Sequence, residues 1–195
     1  MNFSDYKTYT QTALDSVDTA EVDAFIDAIY SAYEREATVF VIGNGGSAAN
    51  ASHLAQDLAK GTCSDLSSNR RIRALSLTDN IAFFSALGND EGYDQVFVQQ
   101  LRTFYRPGDV LIAISGSGNS PNILRAIEFA NENAMSTIGV TGFDGGKLHS
   151  MANSVVHVPL NDMCTAESVH SIVFHYVILA LRDKLAITVN GVAKR

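Results

Sequence analysis

His53 and Asp57 stand four residues apart in a stretch of helical pattern, so both project from one face of that helix. An imidazole and a carboxylate so placed can share a divalent cation or pass a proton between them. A second set, Glu167, His170 and His175, lies near the end of the chain in a segment otherwise built for burial, where ionisable side chains need partners. A lone buried histidine is usually a satisfied core residue. Three histidines and two carboxylates on two helices point further, to a metal or acid–base site. The spacing leaves the ligand set open. Glu167 and His170 are neighbours at i,i+3, whereas Glu167 and His175 are separated by about 12 Å of helix rise and can meet only around an ion between them. His170 and His175 point in roughly opposite directions, so at most one of them shares a cation with Glu167. The other is then structural or at an interface.

Two loops carry a different chemistry. Gly43-Asn44-Gly45-Gly46-Ser47-Ala48 follows an apolar β-branched run and opens a helix expected over 47–60. Its glycines let the backbone turn tightly and approach a ligand, towards which the helix amides point. The second loop, Ser115-Gly116-Ser117-Gly118-Asn119-Ser120-Pro121, follows another such run, and Ser120-Pro121 reads as an N-cap with proline in the first helical position. Hydroxyls at 115, 117 and 120, with amides and the positive end of a helix dipole, form a phosphate cradle without lysine or arginine. A capped turn needs only one or two such residues, and here every position from 115 to 120 is Ser, Gly or Asn.

The first loop also fits the dinucleotide fingerprint G-x-G-x-x-A. That reading needs an acidic residue at the end of the next strand, about twenty residues on. The strand-end acid here, Asp79, lies much further along, and Asp65 sits in a polar loop, so no nucleotide cofactor is expected.

The elements that must hold these residues alternate. Before residue 37, Val22, Phe25, Ile26, Ile29 and Tyr33 form one stripe, which predicts two helices joined near 16–19. Five short runs follow, TVFVIG (38–43), RALSL (73–77), DVLIAIS (109–115), STIGVTG (136–142) and SVVHVP (154–159), each separated by helical pattern. Being apolar on both faces, they predict a five-stranded parallel, doubly wound sheet in a three-layer α/β sandwich. Ligands then bind beyond the carboxyl ends of the strands, where both glycine loops fall. Residues 167–185 are apolar almost all round, so surplus apolar surface on this helix and the amino-terminal pair predicts a homo-oligomer.

Composition narrows the partners. The 195 residues are 46% hydrophobic and 18% charged, which excludes a disordered chain. A formal charge of −7 argues against nucleic acid. The cluster Arg70, Arg71 and Arg73 has no interleaved aromatics and reads as a solvated strand entrance. Two cysteines far apart and an amino terminus without signal-peptide character predict a cytoplasmic protein. The apolar stretch 172–181 is interrupted by His175 and is much shorter than the roughly 20 residues of a membrane span, so no membrane partner is expected.

Taken together, GNGGSAANASHLAQDL from Gly43, the loops TDN and GND at 78–80 and 88–90, ISGSGNSPN from Ile114 and ESVHSIVFH from Glu167 resemble a sugar-isomerase (SIS) domain. Within that superfamily the chain is most similar to the phosphoheptose isomerases, from about residue 37 to 185 and with the motifs in the family's order. The resemblance implies a single flavodoxin-like domain, with amino-terminal helices over 1–36, an α/β core over 37–160 and a carboxyl-terminal helix over 163–187. It implies isomerisation of sedoheptulose 7-phosphate to D-glycero-D-manno-heptose 7-phosphate, for bacterial surface polysaccharides, by a zinc-bearing tetramer. His53, Asp57, Glu167 and His175 fall on the family's metal ligands, which selects His175 over His170. Asn44, Gly45, Gly46, Asp79, Ser115, Gly116, Ser117, Ser120 and Glu167 fall on its sugar-phosphate contacts.

In the enediol chemistry that this implies, Asp57 is the base and His175 the acid. Three positions depart from the family. Asp57 replaces a glutamate and is one methylene shorter, which draws the carboxylate back unless the helix shifts. Glu167 replaces a glutamine and adds charge, and Gly116 replaces a frequent threonine. A His, Asp, Glu, His set suits zinc without excluding manganese or iron. The altered carboxylates leave two other readings: an isomerase for a different phosphosugar, and a non-catalytic binding protein like the SIS relative that associates with the bacterial replication initiator.

Overall fold

A computed structural model describes the backbone of residues 1–192 and the side chains of residues 1–186. Helices α1 (Phe3–Asp15) and α2 (Thr19–Glu34) precede β1 (Thr38–Gly43). The chain continues through α3 (Gly46–Gln56), β2 (Arg73–Ser76), α4 (Ile81–Asp90), α5 (Val98–Phe104) and β3 (Val110–Ser115). It ends in α6 (Pro121–Glu132), β4 (Ser136–Thr141), α7 (Gly146–Met151), β5 (Ser154–His157) and α8 (Met163–Val192). The strands form one parallel sheet in the order β2-β1-β3-β4-β5, a doubly wound α/β architecture as the alternating pattern predicts.

The strands' two-residue period sorts the core into two layers. Val39, Val41, Val110, Ile112 and Ile114 face α2, α3 and α8. Phe40, Ile42, Leu111 and Ala113 face the layer of α5, α6 and α7. The exception is β2. Arg73 and Leu75 are exposed on this edge strand, against the expectation that every strand is covered on both faces, and α4, the helix that follows it, has no fully buried residue.

Helix α8 extends beyond both the ten apolar residues and the end at 187 that the sequence suggested. Its stretch Met163–Ala186 is long and apolar enough, by length and composition, to cross a membrane, yet half of its most apolar window is buried in the fold. Val169, Val177 and Leu181 are fully buried, whereas Ile172, Tyr176 and Leu179 are 42%, 55% and 48% exposed in one stripe. The helix is therefore not covered all round within one chain.

Candidate active site

Helices α3 and α8 lie side by side and run in the same direction, which sets most of the site. From their amino ends onwards, Gly46 faces Glu167, Asn50 bonds to residues of the next α8 turn, and His53 meets His175. The Asn50 Nδ2 donates to the Glu167 carbonyl (3.2 Å), and its Oδ1 accepts from the Ser171 hydroxyl (2.8 Å). These side-chain bonds pin the register of the seam.

His53, Asp57 and His175 converge further along it, each offering a ligand atom within 4.8 Å of the others. His53 Nε2 lies 3.3 Å from Asp57 Oδ2, and the two imidazoles meet edge-on with centroids 5.1 Å apart. At Asp57 the α-helix gives way to a π-helical turn, Asp57–Gly61. Such a turn widens the helix by one residue and re-aims the side chains in it. The groove between the three side chains holds about 10 Å³ of open space, close to the size of a single water or ion. Two imidazoles and a carboxylate are a donor set that suits zinc.

The second centre is a cleft of about 240 Å³ at the carboxyl ends of β1 and β3. Ser115, Ser117 and Ser120 line it, as does the loop 44–47. Ser120 is the N-cap of α6 by backbone geometry, but its hydroxyl makes no capping bond and remains available to a ligand. Gly118 adopts φ +62° and lies against the Gly145 carbonyl, where any side chain would collide; α7 thereby braces the serine loop. Glu167 also lines the cleft. Its carboxylate lies over Gly46, at the amino end of α3, where unpaired first-turn amides and the helix dipole favour negative charge.

The predicted residues thus fall into two groups. Ser115, Gly116, Ser117, Ser120, Asn44, Gly45, Gly46 and Glu167 share the cleft, and His53, Asp57 and His175 share the seam. Glu167 does not join the seam group, because its place eight residues before His175 puts it beside Gly46. Asp79 lies outside the cleft lining: its carboxylate accepts from Ser52, on the side of α3 away from Asn50, and from Thr78 (3.2 Å). His170 is buried, with Nε2 3.0 Å from the Thr141 carbonyl oxygen, and burial holds its pKa down to about 4. Of the two histidines it is the structural one.

Met163 was missed from the sequence. Its thioether lines the cleft and takes the space beside Gly116, where a Cβ would come 2.6 Å from Sδ. The signal was Gly116 itself, since a missing side chain in a packed loop implies a neighbour that fills its place.

Residues 3–142 match the family model described as SIS domain. The chain is 41% identical over 147 residues to a phosphoheptose isomerase of Rhodospirillum rubrum, covering 75% of this chain and 77% of that protein. It is 33% identical over 166 residues to the phosphoheptose isomerase of Citrifermentans bemidjiense, covering 85% of each. Among solved structures, phosphoheptose isomerase from Neisseria gonorrhoeae superposes with a TM-score of 0.84 at 28% identity, over 92% of this chain and 96% of that one.

Proposed function

Because the chain belongs to the SIS-domain family and, within it, to the phosphoheptose isomerases, we propose that it interconverts sedoheptulose 7-phosphate and D-glycero-D-manno-heptose 7-phosphate. The observation that carries this reading is that a cleft lined by three serines, without lysine or arginine, opens at the start of the α3–α8 seam, and an imidazole–carboxylate group lies further along it. His53 lies seven residues beyond Gly46, about 10 Å of helix rise, so a sugar chain anchored at the cradle has room to extend towards the seam group. An acid–base group at that distance distinguishes an enzyme from a protein that only holds phosphosugars.

Ser115, Ser117 and Ser120 bind the phosphate, with the first-turn amides of α6. Anchoring the unreactive end uses binding energy to position the reacting carbons. Asp57 takes a proton from C1 of the ketose, the electron pair moves into a C1–C2 double bond, and the C2 oxygen takes a proton from His175. The enediol then collapses: the C1 hydroxyl returns its proton to His175, and Asp57 delivers the carbon proton to C2.

His53, Asp57 and His175 would hold a divalent cation, for which zinc is the best match, and the cation would polarise the two substrate oxygens. Asp57 directs Oδ2 to His53 and has Oδ1 on the Gly61 side, so its two oxygens can divide these roles. His175 likewise has two ring nitrogens. Glu167 belongs to the sugar end of the site. The working form is a cytoplasmic tetramer, supported by the stripe Ile172, Tyr176 and Leu179 beside an apolar groove of about 210 Å³.

The test is product formation from seven-, six- and five-carbon sugar phosphates, with and without zinc, by the wild-type chain and by Asp57→Ala and His175→Ala. Conversion of the heptulose phosphate that collapses in both variants is expected. Near wild-type conversion by either variant removes the role given to that residue, and turnover of only a hexose or pentose phosphate removes the heptose assignment.

A further inference from the structure

Asn44 lines the cleft, yet its amide turns away from it. Its Nδ2 donates to Asn122 Oδ1 at 2.9 Å, and Asn122 Nδ2 donates back to Asn44 Oδ1 at 2.9 Å. The Tyr93 hydroxyl donates to the same Asn44 oxygen, also at 2.9 Å. Asn122 is the second residue of α6, directly after the serine loop, and is only 2% exposed. A closed ring of two amide bonds therefore ties the loop at 44–47 to the loop at 115–120 across 78 residues of chain. Tyr93 links that ring to the core, its own ring edge-on to Phe84 (5.8 Å), which is edge-on to the fully buried Phe97 (5.6 Å).

Both tied loops are rich in glycine, and their sequences alone do not hold them to one shape. A reciprocal amide pair fixes distance and orientation together, and burial from water strengthens it. We propose that Asn122 and Tyr93 are positioning residues, which act through Asn44 to set the spacing between the phosphate-binding loop and the loop that opens α3. On this view Asn44 contributes its backbone to the ligand and its side chain to the frame. The proposal rests on the phosphosugar reading above, because only a ligand that touches both loops senses their spacing.

The experiment compares two probes by calorimetry. Sedoheptulose 7-phosphate spans both loops, whereas inorganic phosphate occupies the serine loop alone. Tyr93→Phe keeps the ring packing and removes one hydrogen bond, and Asn122→Ala removes the amide pair. The apparent Kd for the sugar phosphate is expected to rise about threefold in the first and about tenfold in the second, the range for one and two lost neutral hydrogen bonds. The Kd for inorganic phosphate is expected to stay within about twofold of wild type. Equal weakening of both probes together with a fall in Tm would mean a plain folding role and would overturn the proposal, as would unchanged affinity for the sugar phosphate. A wild-type chain that binds the sugar phosphate without turning it over refutes the isomerase reading, while the Kd comparison still decides the positioning role. A wild-type chain that binds no sugar phosphate removes both.

Discussion

His170 offers a sharp test of how burial sets charge in this fold. Its ring is fully buried and stacked on Phe174, with centroids 6.4 Å apart. With Nε2–H donating to the Thr141 carbonyl at 3.0 Å, Nδ1 is left buried and without a partner. Loss of hydration drives the pKa from 6.5 to about 4; the Thr141 carbonyl opposes the shift, and the nearby His157 ring adds to it. The folded chain therefore holds the neutral imidazole, and the unfolded chain protonates first as pH falls. Stability from this group is complete above pH 6.5 and is lost progressively as pH drops towards 4. A fall from 6.5 to about 4 corresponds to about 3 kcal/mol in all, of which about 2 to 3 kcal/mol is lost by pH 4.5. His170→Gln keeps an N–H donor and does not titrate. Urea unfolding of both proteins at pH 7.5 and pH 4.5 cancels the carboxylates common to the two. Between these pH values the wild type is expected to lose about 2 to 3 kcal/mol more than the variant. Equal losses would refute the assignment of a buried, neutral His170.

Three further outcomes follow from the same geometry. Gly116→Thr places a Cβ 2.6 Å from the Met163 sulfur, so overpacking should cost about 1 to 3 kcal/mol in chemical denaturation, and Met163→Ala in the same chain should restore most of it. Asp57→Ala removes one of three converging ligands, so zinc affinity, measured against a chromophoric chelator, should fall by more than the roughly 100-fold that indirect partners of a metal can cost. Ile172→Asp with Leu179→Asp places charge in the exposed stripe of α8; under the proposed tetramer, light scattering should then report a mass below that of the wild type, and an unchanged mass would remove the stripe as an interface.

The sequence made visible what local patterning controls and missed what packing decides. The runs at 38–43 and 136–142 were readable because β-branched Thr, Val and Ile dominate them and glycine closes each within six or seven residues, too short a span for a helix. The strand at 73–76 was readable as a strand, but its exposed face was not, since exposure depends on its place at the sheet edge, which the order of the strands decides. His53 and Asp57 were paired by spacing within one helix, and that pairing holds at 3.3 Å. Glu167 illustrates the opposite case. Whether it meets His175's partners or Gly46 depends on the register between α3 and α8, fixed by Asn50 and Ser171 and unwritten in either helix alone. Asp79 likewise stood at the right place in the chain, and Ser52 turned it elsewhere. The π-helical turn at Asp57 was not read from the sequence, because residues 57–61 carry an ordinary helical pattern.

That register also bears on how a chain of charge −7 would seat the phosphate of the proposed substrate. Helices α3, α6 and α8 all begin near the same cleft, and no lysine or arginine lines it. Converging helix starts supply partial positive charge that cannot be titrated away. Glu167 already takes up part of that field at the amino end of α3, which leaves the α6 end, with its three serines, as the unopposed anion seat. On the proposed mechanism the two carboxylates act at opposite ends of the seam: Glu167 would bias where phosphate sits, and Asp57, at the start of the π-helical turn, would set where the proton is taken. A ligand placed by the first is presented to the second only while the loops between them keep their spacing, and Asn44, Asn122 and Tyr93 are placed to hold it.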